Sequence, residues 1–383
     1  MKNKFVLIAS HAKSVINFRR NLIDDLQNNS MDVHVLIPKL SSIDNDVTRK
    51  KIEEIGVTVH EVHLNRTGLN LISDFIAFIH IVITLWKIKP DYVISYTIKP
   101  VIYGTLAAKI AGIKHRFALI TGLGSVFNEG KSKRSKSLLF IVKHMYKVSL
   151  LGAEKVFFQN PDDMRLFQKY KIVSALQSCV VNGSGVDLDY YKFSNPPGKI
   201  SFLLLARLLN SKGVRIYFEA AQIVKSLYPN IEFSLAGHID DLNNDSISRG
   251  ELDSWIERKV INYYGQMSDV RTAIANCSIY VLPSFYREGV PRSILEAMSM
   301  GRAIITTNTP GCKETVIDGE NGYLIDPKSV SKLVDAIMKF VNQPETVRKM
   351  GVKSREMAEE KYDVYKVNDF MLRKMKIKYK NVL

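Results

Sequence analysis

Ser284-Phe285-Tyr286-Arg287-Glu288-Gly289-Val290-Pro291-Arg292-Ser293-Ile294-Leu295-Glu296-Ala297-Met298-Ser299-Met300-Gly301 reads as the join between a buried strand and a helix. The apolar run at 278–282 precedes it and has the length and β-branched, aromatic character of a strand. Glu288 and Gly289 fall in the loop. Pro291 suits the first turn of a helix, where its missing N–H costs nothing. Backbone N–H groups from Val290 onward then point out of the helix start and can bind an anion.

The same unit recurs on both sides of this stretch. In the C-terminal half, residues 200–206, 231–237, 261–264, 278–282, 303–307 and 322–325 read as strands, with helices at 213–227, 268–275, 291–300 and 329–342. In the N-terminal half, strands are expected at 4–10, 32–38, 91–95, 116–120, 155–159 and 178–181, and helices at 18–27, 73–88 and 102–111. Strict alternation of this kind means βα units and parallel sheets. The segment Phe193-Ser194-Asn195-Pro196-Pro197-Gly198-Lys199 carries two prolines and a glycine and is the best linker. The fold class expected is therefore α/β, with two Rossmann-like doubly wound domains, 1–193 and 200–361, facing each other across a cleft. A basic helical tail, 362–383, is expected to pack back toward the first domain. Ligands in such sheets bind at the carboxyl ends of the strands, which makes the cleft the expected active site.

A chain of 383 residues suits two such domains, and 46% hydrophobic with 24% charged residues is a globular balance that excludes disorder. The net charge is +16, and residues 1–195 hold 27 basic against 16 acidic side chains. A basic face implies an anionic partner: nucleic acid, an anionic membrane surface or a phosphorylated substrate. Cys179, Cys277 and Cys312 are too few and too scattered for a disulfide framework or a zinc site, which fits a reducing cytosol. The longest apolar stretch, 69–86, is interrupted by Asn70, Asp74 and His80. It reads as a buried amphipathic helix rather than a span.

Two sets of charged residues carry chemistry. Glu288 on the loop and Glu296 within the helix can reach opposite ends of one ligand, and carboxylates accept hydrogen bonds from hydroxyls of a sugar and a ribose. Arg207 and Lys212, in Leu205-Ala206-Arg207-Leu208-Leu209-Asn210-Ser211-Lys212-Gly213, follow the first strand of the second half. There they can neutralise a diphosphate, Arg with a planar fork and Lys as a point charge. The glycine spacing of a P-loop is absent. No acidic cluster with metal-ligand spacing stands out, so no cofactor is expected and basic side chains are expected in place of a divalent metal.

These segments resemble the retaining glycosyltransferases of family 4, which have the GT-B fold. Glu288 and Glu296 match that family's Glu-x7-Glu motif, and Arg207 and Lys212 match its Arg-x4-Lys donor-phosphate pair. Asn182-Gly183-Ser184-Gly185-Val186-Asp187, Gly265-Gln266-Met267-Ser268-Asp269-Val270, Pro310-Gly311-Cys312-Lys313-Glu314 and Asn321-Gly322-Tyr323-Leu324 resemble further segments of the family in the same order. The resemblance implies a nucleotide-sugar donor, with its diphosphate on Arg207 and Lys212. It places the donor sugar on Glu288, backbone donors at Gly289 and Val290 beside Pro291 and Arg292, the ribose on Glu296, and the base near Gln266 and Met267. Arg207, Lys212 and Glu288 are the residues it implicates in catalysis. It also implies retention of anomeric configuration.

In the N-terminal half, Tyr96-Thr97-Ile98-Lys99-Pro100-Val101-Ile102-Tyr103-Gly104 and Ile120-Thr121-Gly122-Leu123-Gly124-Ser125-Val126-Phe127 follow predicted strands. They resemble a bacterial subgroup that builds lipid-linked surface polysaccharides such as O-antigen and capsule, including enzymes that add N-acetylgalactosamine to undecaprenyl-diphosphate sugars. That likeness implies a lipid-linked saccharide acceptor, with Thr97, Lys99, Gly122 and Gly124 on its side. The family's glycine pair after the first strand is replaced here by Ser10-His11-Ala12-Lys13-Ser14-Val15-Ile16-Asn17-Phe18-Arg19, so His11 and Arg19 are expected to meet the acceptor from this loop. Lys131-Ser132-Lys133-Arg134-Ser135-Lys136 precedes an apolar, aromatic-bearing helix at 137–147. Basic residues in that setting suit an anionic membrane surface, and a peripheral protein on the cytoplasmic face without a span is expected.

The sequence leaves two alternatives open. A nucleotide-sugar 2-epimerase shares the two-domain plan and needs no acceptor. A basic nucleic-acid-binding protein would show a steep salt dependence, but none of the common nucleic-acid modules is present, so nucleic acid is not expected as a partner.

Overall fold

The computed structural model describes residues 2–39, 43–64, 71–124, 127, 133–241 and 243–377. The chain divides into two compact units, residues 1–184 with the chain from Tyr365 onward, and Gly185–Val364.

The first unit runs β1 (Lys4–Ile8), α1 (Ala12–Asn28), β2 (Asp32–Pro38), α2 (Ile43–Glu53), β3 (Thr58–Val62), α3 (Leu71–Ile88) and β4 (Tyr92–Tyr96). After a π-helical turn (Pro100–Gly104) it continues through α4 (Thr105–Ile110), β5 (His115–Ile120), α5 (Lys133–Leu150), β6 (Lys155–Phe158), α6 (Pro161–Lys169) and β7 (Ser178–Val180). Its sheet has the order β3-β2-β1-β4-β5-β6-β7, with parallel pairing throughout. Both faces of the strands are covered, which is why they read as unbroken apolar runs. On one face Phe5, Leu7, Phe117 and Leu119 pack with α1; on the other Val6 and Ile8 pack with α3 and α4, and Ala118 and Ile120 pack with α5.

The second unit runs β8 (Ser201–Leu205), α7 (Val214–Leu227), β9 (Glu232–Ala236), α8 (Arg249–Glu257), β10 (Asn262–Tyr263), α9 (Arg271–Ala275), β11 (Ile279–Leu282), α10 (Arg292–Ser299), β12 (Ala303–Thr307), β13 (Gly322–Ile325), α11 (Val330–Asn342) and α12 (Glu345–Met357). Its sheet has the order β10-β9-β8-β11-β12-β13, again parallel. Tyr217 of α7 is fully buried, and its hydroxyl bonds the carbonyls of Phe202 and Ser234 at 3.0 Å each, so one side chain ties β8 to β9. The last helix, α13 (Val364–Lys374), sends Val367, Met371 and Leu372 into the core around Phe5 and Val33 of the first unit. There Asn368 donates to the buried Asp25 carboxylate at 2.7 Å.

Several elements differ from the sequence reading. The division falls at Ser184, ahead of the proline-rich segment expected to be the linker. The reason is that residues beyond it are bound in the second unit. Arg302, fully buried, donates to the Ser194 carbonyl at 2.9 Å, and Val186 bridges Asp363. Helix α1 begins at Ala12, not at 18, because Ala12, Val15, Leu22, Ile23 and Leu26 form one buried stripe. The edge strand β3 was not expected, since Thr58-Val59-His60-Glu61-Val62 has only Val62 buried. Helix α3 buries Ala77, Ile81, Val82, Leu85 and Ile88, but its opposite face is neither buried nor polar. Among the described residues no helix is long and apolar enough to cross a membrane.

Candidate active site

In an open parallel sheet the strand order reverses at one point, and loops at the carboxyl ends of the two strands there diverge to leave a crevice. In the second unit that point lies between β8 and β11. The loop after β8 carries Arg207 and Lys212, and the loop after β11 carries Glu288. The two loops are bound to each other. Gly213 has φ +80°, and a Cβ there would stand 2.2 Å from the Pro283 carbonyl oxygen, so the backbones touch only because the side chain is missing. The Ser211 carbonyl accepts the amides of Phe285 and Tyr286 at 2.9 and 3.1 Å, and the Ser211 amide donates to Asp245 at 2.9 Å.

This stitching brings the Lys212 ammonium onto the Glu288 carboxylate as an ion pair. The other Glu288 oxygen accepts from Ser284 Oγ at 2.7 Å. Both charged side chains are mostly buried, at 15% and 13% exposure, so the pair is screened far less than a surface pair. The ammonium also lies 5.7 Å from the centre of the Tyr286 ring.

Arg207 is paired as well. Its Nη1 donates to Asp240, beyond β9, at 2.8 Å. Gly237 makes that approach possible: its φ is +146°, and a Cβ would lie 1.8 Å from the Ala206 carbonyl oxygen. The Gly237 amide donates to the Gly265 carbonyl at 2.8 Å, so the loops after β8, β9 and β10 lie edge to edge. Gln266, exposed, and Met267, half-buried, follow directly. Arg207 and Lys212, expected as a cation pair for an anion, thus each also hold a protein carboxylate.

Pro291 is the residue capping α10 rather than its first helical residue, with φ −66° and ψ 119°. Its carbonyl accepts the amides of Ile294 and Leu295 at 3.2 and 3.4 Å. The amides that open a helix have no partner further back in it, which leaves this end electropositive. Val290 is buried beside it, and the Gly289 carbonyl rests on Gly311, whose φ is +84° and whose Cβ would come within 1.7 Å of that oxygen. One turn and more into α10, Glu296 is buried and accepts from Tyr191 Oη at 2.9 Å and Arg292 Nε at 3.0 Å. Burial raises the Glu296 pKa, and the Arg292 charge and the Tyr191 hydrogen bond oppose that rise. The Arg292 guanidinium, expected to face the donor, is turned to Glu296.

Sequence reasoning missed Asp240, Ser284 and Tyr191. No spacing marks them: Tyr191 lies 105 residues from Glu296, and Asp240 lies 33 from Arg207.

In the first unit the strand order reverses between β1 and β4. The loops there meet where Thr97 Oγ1 donates to Ser10 Oγ at 2.8 Å, with Thr97 held at φ +70°. Lys99 is not a solvent-facing strand-end cation. Its ammonium pairs with the buried Asp74 of α3 at 2.7 Å, and Tyr103 donates to the other oxygen at 3.1 Å. Arg19 is likewise not on a loop: it sits on α1 at 4% exposure, its guanidinium 5.0 Å from the Tyr96 ring centre. His11 caps that helix without a side-chain cap bond. Gly122 and Gly124, at φ +118° and +60°, shape the turn after β5. Ser125, Val126, Lys131, Ser132, Leu69 and Asn70 lie outside the described residues.

Comparison with known proteins gives two family matches. Residues 190–357 match the family described as glycosyl transferases group 1, and residues 5–160 match glycosyl transferase 4-like. The chain is 29% identical over 343 residues to the N,N'-diacetylbacillosaminyl-diphospho-undecaprenol alpha-1,3-N-acetylgalactosaminyltransferase of Campylobacter jejuni, covering 86% of this chain and 87% of that protein. Among solved structures, sucrose-phosphate synthase from Thermosynechococcus elongatus superposes with a TM-score of 0.80 at 18% identity, over 97% of this chain and 98% of that one. Anabaena HepE in complex with UDP-glucose gives 0.78 at 18% identity, over 97% and 99%. At that identity the structures speak to the fold alone.

Proposed function

The chain is a glycosyltransferase of GT-B fold that joins a glycosyl transferase 4-like half to a group 1 half, and we propose that it moves a sugar, with retention, from a UDP-linked donor to a saccharide on a lipid diphosphate. The observation that carries this reading is the meeting of Lys212 and Glu288 at the strand-order reversal of the second unit, with Arg207 on the same loop. The acceptor is read from the Campylobacter relative, whose name specifies an undecaprenol-diphosphate-linked sugar, and N-acetylgalactosamine is the first donor sugar to test. UDP is the first nucleotide carrier to test, as in the UDP-glucose complex of HepE. The Campylobacter relative is a transferase, and nothing in the comparisons supports the epimerase reading.

In the proposed reaction the bond between the anomeric carbon and the donor phosphate breaks, and negative charge grows on the leaving diphosphate. Arg207, Lys212 and the opening amides of α10 are preorganised cations and dipoles for that charge, and groups of this kind lower a barrier most in a partly buried site. Glu288, already oriented by Lys212 and Ser284, accepts donor-sugar hydroxyls. Glu296, fixed by Tyr191 and Arg292, accepts those of the ribose. The acceptor oxygen attacks from the leaving-group face and gives its proton to a donor phosphate oxygen. Thr97, Gly122 and Gly124, with His11, are the candidates for the acceptor side. The protein works on an anionic membrane surface on the cytoplasmic side, where such an acceptor is embedded. Incubation with a panel of UDP- and GDP-sugars and a short-chain lipid-diphosphate saccharide, read by mass spectrometry, tests the proposal. One donor should add one sugar mass to the acceptor. Donor epimerisation or hydrolysis without any acceptor product overturns it.

A further inference from the structure

Helix α3 is apolar on both sides. Over its 18 residues only Asp74 and Lys87 are charged. Its inner stripe is buried against β1 and β4, but Ile72, Phe75, Ile76, Ile79, Ile83 and Trp86 face outward at 75, 63, 52, 40, 41 and 53% exposure. The outer face of a helix on a globular protein is normally charged or polar. Four successive turns of isoleucine, phenylalanine and tryptophan make a patch of the kind that marks an interaction surface.

The surroundings say what covers it. Helix α5 lies in the same layer, on the same face of the sheet, with α4 between the two. It exposes Phe140 at 69% and Ile141 at 54%, flanked by exposed Lys136 and Lys147. At the far end of α3, Trp86 borders a depression shared with Lys89 and Lys114. An apolar face flanked by lysines, with tryptophan at one end, matches a bilayer with anionic headgroups: side chains enter the acyl boundary while the ammonium groups stay at headgroup level. Cations outnumber acids around it: Asp91 shares the depression at Trp86 with Lys89 and Lys114, and Glu61 lines the other flank of α3 beside Arg49 and Lys87. The near end of the face is tied to the loop after β4, since Asp74 in the first turn of α3 binds Lys99 and Tyr103.

We propose that the outer face of α3, with the adjoining exposed residues of α5, lies flat on an anionic bilayer and sets the loop after β4 beside the membrane-borne end of the acceptor. This rests on the reading of the acceptor as lipid-linked.

The full-length protein carries its own probe. It has two tryptophans, Trp86 and Trp255, and Trp255 is buried at 5% exposure. With vesicles of phosphatidylglycerol and phosphatidylethanolamine, the tryptophan emission should shift to the blue and be quenched by brominated lipid. Trp86→Phe should abolish the quenching while the protein still floats with the vesicles. The double variant Phe75→Ser/Ile79→Ser should weaken vesicle binding by about tenfold or more, from the lost apolar contact alone. Its transfer to a water-soluble short-chain acceptor should be unchanged. Emission indifferent to brominated lipid, or a double variant that floats like the parent, overturns the proposal. So does light scattering that shows a dimer broken by the double variant with vesicle binding intact, because a second copy then covers the face. Quenching at Trp86 in a protein that transfers to no lipid-diphosphate acceptor would sink the proposed function and leave the surface standing.

Discussion

Lys212 and Glu288, 76 residues apart in the chain, form a mostly buried ion pair at the point where the second sheet reverses its strand order. The pair couples a candidate phosphate cation to a candidate sugar-binding carboxylate, so neither can be changed without moving the other.

Lys212→Ala should therefore lower transfer steeply. Loss of a preorganised group aimed at leaving-group charge costs about 10²–10³ in turnover, or roughly 3–4 kcal/mol. Lys212→Arg should recover part of it. Steady-state kinetics beside a circular-dichroism melt would separate chemistry from folding, and near-normal turnover in the folded alanine variant would remove Lys212 from the mechanism.

With Arg207 as the proposed diphosphate cation, Asp240, which accepts from it at 2.8 Å, would compete with the bound donor. Asp240→Asn keeps the shape and drops the charge, so UDP should bind more tightly, by about twofold to fivefold for a partly exposed pair. Arg207→Ala should weaken UDP by a larger factor. Titration calorimetry reads both. Weaker UDP binding in Asp240→Asn would mean that the carboxylate orients the guanidinium instead.

Glu296 gives a pH signature. Its folded pKa lies above the unfolded value because burial disfavours the charged form. Between those two values the native state holds more protons than the unfolded chain, so this contribution to stability is complete below the unfolded pKa and is lost as pH rises through the folded one. Glu296→Gln removes the titration. The melting temperature of the glutamine variant, relative to the parent, should rise as pH increases from acid across that window. Donor KM should increase about tenfold from loss of the proposed charged hydrogen bond to the ribose. A difference in melting temperature that does not vary with pH would show that Glu296 titrates normally. Tyr191→Phe should raise donor KM with little effect on kcat, since Tyr191 acts by positioning Glu296.

Gly311 and Gly265 are both left-handed, but they should respond differently. Alanine at 265 meets nothing within 4 Å and should cost only the backbone penalty, about 1–2 kcal/mol. Alanine at 311 adds a collision with the Gly289 carbonyl at 1.7 Å and must displace the loop at the start of α10. Gly311→Ala should lose UDP binding as well as stability. Equal behaviour of the two variants in melting and UDP titration would rule out that packing role.

The alternation of strands and helices, the two parallel sheets and the spacing of Arg207, Lys212, Glu288 and Glu296 were legible in the chain alone, because each rests on local periodicity or on a short interval along one loop or helix. Two details close to that scale were misread. Helix α1 starts at Ala12 because its buried stripe continues through a segment rich in polar residues, and α3 shows apolar side chains on its outer face, which composition cannot tell from a buried helix. What only the tertiary structure decided is partnership: that Lys212 holds Glu288, that Arg207 holds Asp240, that Tyr191 reaches Glu296, and that Lys99 is committed to Asp74. An ion pair or hydrogen bond depends on a few ångströms between side chains brought together by strand order and backbone contact at glycine. Nothing in residue type or interval encodes that distance until the sheets have formed.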